Sequence, residues 1–306
     1  MYKRIIVVVA SALFALLALL AAIITGLYDR DFPQAIHTGS RISLDFSESN
    51  ISITKAFDTL EKLDPRWGLG LVKVAPDLEG DGDAQIFVAL NNEGFPKEFT
   101  WFGGEGTGKI VGKERLATSY PDGLYLVTGK ETHLNELVNS LKQSGVKVSR
   151  TDASIFRSLE FVVRERGFAA AVVAAFALIA ALALFWLSLR ARGRALRVLG
   201  GCPTVQIQMQ DLSGFGGALL LAALVVVVVS AGYVGIFHGW MYVGAFLKAL
   251  VILQVAIIGV SLFVAFVMSA SAWPSATMLA TRQPAVKSLR VAAIVIQVLT
   301  FLLVVA

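Results

Sequence analysis

The sequence predicts an α-helical polytopic membrane protein of about five transmembrane helices. One α+β domain is inserted outside the membrane, between the first and second spans. Three observations lead there. The 306 residues are 56% hydrophobic, with a mean hydropathy of +0.70, and only 16% are charged, well under the ~25% of a soluble domain. The apolar residues fall in long unbroken runs. The charges are segregated: residues 28–166 hold 21 of the 22 acidic and 17 of the 27 basic side chains, a net of −4. Everything else carries ten basic residues and one acid, Asp211. The net charge of +5 is therefore the sum of basic span ends and a mildly acidic domain. It does not point to nucleic-acid binding.

Taken in order, Lys3 and Arg4 precede an apolar run of 23 residues, Ile5–Leu27, enough to cross ~30 Å of hydrocarbon as a helix. The basic end places the N-terminus inside. A cleaved signal peptide is the alternative, against which stand the length of the run and the lack of a clear A-x-A site. Residues 28–166 then lie outside and contain no cysteine, so they must hold together by their core alone. Arg41–Phe46 alternates as a strand. Asn50–Leu63 places Ile53, Phe57 and Leu60 on one helix face, with Ser49 or Asn50 as cap and Pro65 closing it. Trp67–Val74, Gln85–Leu90 and Gly123–Thr128 read as strands. Leu134, Leu137, Val138 and Leu141 make an apolar helix face ended by Gly145, and Val146–Ser149 returns as a strand. A strand–helix–strand at each end fits a ferredoxin-like βαβ–βαβ sandwich.

Ser154–Arg166 has helical spacing and is expected to run as a stalk into the second span, Phe168–Leu189. The third span is Phe215–Phe237. His238–Tyr242 forms a short outer turn with belt aromatics, and the fourth span is Val243–Ser269. Arg282, Lys287 and Arg290 make a second basic inner loop before a fifth apolar run that begins at Val291. Its 16 residues are short of the ~20 a span needs. Lys287–Val295 resembles Lys3–Val9, so a second repeat is expected to begin here, the alternative being a short tail span. Under this threading every basic loop falls on one side.

The stretch Arg190–Leu212 holds four arginines within eight residues, followed by Gly200-Gly201-Cys202-Pro203 and an amphipathic segment containing Val205, Ile207, Met209 and Leu212. A short basic loop between spans belongs on the cytoplasmic side. A short helix there, parallel to the membrane, would be a handle for a soluble partner.

Catalytic signatures are weak. Gly103–Lys109 matches G-x-x-x-x-G-K, but Ile110 stands where a Walker A loop needs a hydroxyl for magnesium; a hairpin tip is the preferred reading. His37, His133 and His238 have no metal-ligand spacing. Gly80–Asp83 lacks the rest of an EF-hand loop and reads as a solvated turn. The spans hold no Asp or Glu, which argues against a proton- or sodium-coupled carrier. Lys248 is expected to snorkel outward, and Gln254 and Gln297 to hydrogen-bond between helices. No catalytic, cofactor or metal site is assigned, and an energy source would have to be external.

One span, a large outer domain, then three spans with a basic loop between the second and third resembles the permeases of the MacB/FtsX type of ABC transporter. In that family the inner loop carries a basic–x–L–G–A–S signature and an amphipathic helix that contacts the ATPase. Arg197-Val198-Leu199-Gly200-Gly201-Cys202 stands in that place, with Gln206-Ile207 following at the usual distance. The family's acidic residue before the signature is absent from Arg194-Ala195-Leu196, and Cys202 replaces the serine. The single small outer domain is most similar to the bacteriocin-associated integral membrane proteins, described as immunity proteins. The resemblance implies that Arg190, Arg194, Arg197, Gly200, Gly201, Cys202, Gln206 and Ile207 form an ATPase-coupling loop.

It further implies a multi-pass protein of the cell membrane that partners a cytoplasmic ABC ATPase, with a second permease half or a second copy beside it. The outer domain would take a peptide, a lipid-like substrate or a protein partner. The function implied is export of, or resistance to, antimicrobial peptides. Two other functions compete: a signalling protein that regulates an outer cell-wall hydrolase, and an immunity protein that works without an ATPase.

Overall fold

β1 (Ser40–Asp45) keeps the alternation of its sequence: Ser40, Ile42 and Leu44 are buried while Ser43 is exposed. The computed structural model in which it sits describes residues 2–49, 51–77, 85–91, 94–104, 106–164 and 166–271. These fall into two units. The first is Ile23–Ser158 with the short stretch Gly235–Gly244; the second is Met1–Ala22, Leu159–Val234 and the chain from Ala245.

In the first unit β1 is followed by α2 (Ile53–Trp67), β2 (Leu71–Pro76), β3 (Gln85–Ala89), β4 (Glu98–Thr100), β5 (Thr107–Val111), β6 (Gly123–Val127), α3 (Leu134–Gln143) and β7 (Lys147–Asp152). They make one sheet in the order β4-β5-β3-β2-β6-β1-β7. Within it β7, β1, β6 and β2 are neighbours, each pair antiparallel. The chain crosses from β1 to β2 through α2 and from β6 to β7 through α3. This is the split βαβ arrangement of a ferredoxin-like unit. Strands β3, β5 and β4 extend it at the β2 edge, β5 running parallel to β3.

The two helices share a core with the sheet. Ala56 and Leu60 of α2 and Leu134, Leu137 and Leu141 of α3 pack with Ile42, Leu71, Val88, Tyr125 and Val127. β2 is buried on both faces, since Val72 joins a second cluster with Phe87, Phe99, Leu126 and Ile36. There Phe99 lies edge-on to Phe87 and Trp101, with ring centroids 5.2 and 5.0 Å apart. α3 ends as its sequence requires: Gly145 takes φ +83°, and the Gly145 and Val146 N–H groups return to the carbonyls of Lys142 and Leu141 at 3.0 Å each. That is a Schellman closure, which needs a residue free to adopt the left-handed region.

The sequence reading needs four corrections in this unit. α2 starts after Ser52 and runs through Pro65. A proline this late removes a single intrahelical donor, and the Pro65 carbonyl still accepts Gly68 N–H at 3.3 Å. Trp67 therefore ends a helix instead of opening a strand, and β2 begins at Leu71. β7 extends to Asp152 because all six of its residues pair with β1. Its pairing partner, not its own pattern, sets its length. β4 and β5 are strands that the sequence pattern does not announce, and Gly103-Gly104 lies in the turn between them.

The second unit is helical. α1 spans Tyr2–Asp31, whose first part belongs here, and α4 spans Ile155–Arg164. α5 (Arg166–Leu199) and α6 (Thr204–Phe237) have 34 residues each, and α7 (Trp240–Ser271) has 32. Among the described residues three helices are long and apolar enough to cross a membrane, over Arg4–Asp31, Thr204–Phe237 and Trp240–Ala270. α5 carries a shorter apolar stretch, Ala177–Arg190. At 1.5 Å per residue, 34 residues make a helix of about 51 Å, far more than the ~30 Å of hydrocarbon. The facing ends of α5 and α6 take up most of Arg190–Leu212. The loop and short separate helix expected there reduce to a turn at Gly200–Pro203. Arg, Ala, Leu and Gln are good helix formers, so a change from apolar to basic sequence does not stop a helix; the Gly-Gly-Cys-Pro run does. Gln254 is buried, with its amide 3.5 Å from the Ala223 carbonyl, and Lys248 is exposed. The second basic loop, the fifth apolar run and Gln297 lie outside the described residues.

Candidate functional site

The turn between α5 and α6 is built from both helix ends. α5 closes by the same motif as α3. Gly201 sits at φ +76°. Its N–H reaches the Val198 carbonyl at 3.1 Å, and Cys202 N–H reaches that of Arg197 at 3.0 Å. Gly201 is thus the residue that lets the chain reverse. Pro203 cannot donate to a helix ladder and stands just before α6; its carbonyl accepts Gln206 and Ile207 N–H at 3.1 and 3.3 Å.

The arginines divide into two kinds. Arg194 is 4% exposed and Asp211 1% exposed. Arg194 Nε donates to Asp211 Oδ2 at 2.5 Å, and Arg194 Nη2 donates to Ser269 Oγ at 2.9 Å. One guanidinium therefore fastens α5 to α6 and to α7. Arg190 Nη1 adds a bond to Asp211 Oδ1 at 3.2 Å and lies over the Trp186 ring, 4.7 Å from its centroid. Trp186 Nε1 in turn donates to the Asp211 carbonyl at 2.9 Å. The carboxylate is satisfied on both oxygens, as a buried charge must be. Arg197 instead reaches across the turn to Gln210 Oε1 at 3.0 Å.

Around this staple the surface is apolar and open. Leu196, Leu199, Val205 and Met209 are between 65% and 70% exposed. Gly200, Gly201, Cys202 and Gln206 are exposed beside them. Ile207, by contrast, is 1% exposed and packs inward. Of the eight residues singled out from the sequence, Gly200, Gly201, Cys202, Gln206 and the partly exposed Arg197 share the open surface. Arg190, Arg194 and Ile207 build what lies beneath it. Sequence reasoning missed the roles of Asp211, Ser269 and Trp186. The signal for one of them was present: Asp211 is the only acid outside residues 28–166, and it follows a cluster of arginines.

In the sheet unit a groove of about 540 Å³ opens beside β5, lined by Phe95, Lys97, Glu98, Lys109, Ile110 and Glu114 among others. Lys109, the lysine of the Walker-like match, is on β5, and a 3-10 turn, Lys113–Thr118, comes next where a phosphate loop needs a long helix. The histidines are apart. His37 occupies a left-handed turn (φ 55°), His133 pairs with Glu136 at 3.0 Å, and His238 bonds the Phe102 carbonyl at 2.8 Å. No protein-family model matches the chain, and no curated protein matches it in sequence.

Proposed function

We propose that the chain is the permease subunit, or half-subunit, of an ABC transporter of the mechanotransmission type, acting in export of or resistance to antimicrobial peptides. In this reading it crosses the cell membrane several times, with the N-terminus and the α5–α6 turn in the cytoplasm and the sheet unit outside. ATP is hydrolysed on a separate chain. The supporting observation is the stapled turn: four exposed apolar side chains, Leu196, Leu199, Val205 and Met209, carried on helix ends that Arg194 locks to α6 and α7. Exposed apolar side chains gathered at one turn suit an interaction surface for a protein or the membrane, and we assign this one to the ATPase. One that is tied internally to three helices can pass a displacement on instead of absorbing it. The groove beside β5 is the candidate site for a peptide or lipid-like substrate.

The test is mild-detergent purification of the natively encoded protein and of its Val205→Asp and Met209→Asp variants, with mass spectrometry of what accompanies each. Both side chains are exposed, so the fold tolerates the change. The expected result is an ABC ATPase with the wild type and its loss from both variants. A wild-type chain that brings no ATPase overturns the reading and favours ATPase-independent immunity.

A further inference from the structure

Phe102, in the turn of the β4–β5 hairpin, is held from three directions inside the sheet unit. Its N–H donates to Asp29 Oδ2 at 2.9 Å, and Asp29, near the end of α1, is 1% exposed. The other Asp29 oxygen accepts Gln34 N–H at 2.8 Å. The Phe102 carbonyl takes a bond from His238 Nδ1 at 2.8 Å, and the imidazole stacks on the phenyl ring with centroids 4.7 Å apart. Tyr242 stands edge-on to the same ring at 5.4 Å, and its hydroxyl donates to the Thr100 carbonyl at 2.7 Å. Gly26 of α1 lies beneath; a Cβ there would be 3.8 Å from the ring.

The chemistry of these contacts is uniform. Each polar contact that reaches the hairpin runs from a side chain on a helix end or helix turn to the hairpin backbone. A turn containing Gly103-Gly104 has little stiffness of its own, so the hairpin takes its position from what grips its backbone. The grip is costly to release. Asp29 is a buried carboxylate whose two oxygens are each satisfied by a backbone N–H, and losing either donor leaves a buried charge short of a partner. Phe102 and Tyr242 are 5% and 2% exposed, and the Phe102 N–H to Asp29 bond is buried, so water has no ready access to replace it.

We infer that Phe102 is a rigid joint that makes the end of α1, the α6–α7 turn and the β4–β5 hairpin move as one body. A displacement of the α6–α7 turn then reaches the edge of the sheet, including the Lys97–Glu98 wall of the groove. The joint itself is independent of the permease reading; its use to carry motion rests on that reading.

Hydrogen–deuterium exchange on the full chain in lipid nanodiscs tests the joint, with α3 (residues 134–143) as internal reference. Tyr242→Phe removes a single hydroxyl, and His238→Ala removes the stacked ring and its bond. Each is expected to raise exchange about five- to tenfold, the worth of roughly one hydrogen bond, at residues 26–34, 98–104 and 236–244 together, leaving α3 unchanged. A rise confined to 236–244 overturns the joint. Should His238→Ala loosen α3 as well, Tyr242→Phe alone decides. Where the ATPase co-purifies, ATP is expected to alter exchange at 98–104 in the wild type and not in the double variant. An ATP effect that survives the double variant overturns the transmitting role. Absence of an ATPase defeats the permease reading and leaves the joint standing.

Discussion

Lys73 lies on the helix-covered face of β2 and is 3% exposed. Its ammonium donates to Ser119 Oγ at 2.7 Å and to the Tyr120 carbonyl. It sits over the rings of Phe57 and Tyr125, 5.3 and 5.8 Å from their centroids. Burial lowers its pKa to about 8, against the opposing pull of Asp122. Between pH 8 and the ordinary lysine value of 10.5 the unfolded chain holds a proton that the folded chain has released. Stability therefore rises with pH through that window, and the full penalty of burying the charge applies below it. Tyr125, which donates to the Pro121 carbonyl at 2.7 Å, is pushed well above the usual phenol range by burial. An unfolded tyrosine is half-ionised near pH 10, so up to about pH 9.5 Tyr125 opposes the gain from Lys73 only slightly. The expected outcome is a higher unfolding temperature for the sheet unit at pH 9.5 than at pH 7.5. Lys73→Met should lose most of that gain, as read by thermal denaturation of both proteins in the same detergent. Equal slopes in the two would show that the ammonium is not desolvated.

At the scale of helices, the Arg194–Asp211 pair is the tie between α5 and α6. A buried ion pair adds little net stability over a packed apolar pair, but removal of one partner strands the other. Asp211→Leu is therefore expected to cost about 3–5 kcal/mol, and Arg194→Leu a similar amount. The double substitution should recover a large part of the loss. Thermal unfolding of the four proteins reads this as a coupling energy; simple additivity would mean that the pair is not formed. The tie also shows where reading from sequence stops. Periodicity was enough for α2, α3 and β1, each of which buries one face of its own pattern; β3 and β6 bury both faces and are legible as short apolar runs instead. It failed for β4, three residues long, and for β5, whose Thr-Gly-Lys start carries no strand signal. For the candidate site the sequence located the turn and its arginines. It did not separate Arg194 from Arg197, because what distinguishes them is Asp211 and Ser269, 17 and 75 residues away.

Across the whole chain the charge pattern, the three long apolar helices and the single cysteine combine into one test of orientation. Basic residues dominate outside residues 28–166, and the proposed topology, following the positive-inside rule, puts them in the cytoplasm. Cys202 is exposed in the α5–α6 turn and is the only cysteine in the sequence, so it reports the side on which that turn lies. Tyr120, 71% exposed in the sheet unit, gives a matching position in a Cys202→Ser background through Tyr120→Cys. A membrane-impermeant maleimide applied to intact cells is expected to label the Tyr120→Cys protein and to spare the native one. Inverted vesicles should reverse the result. Labelling of Cys202 in intact cells would put the turn outside, away from any ATPase, and the permease reading would fall with it. The sheet unit and the Phe102 joint would be untouched by that outcome, because their bonds are internal to one unit and carry no sense of direction.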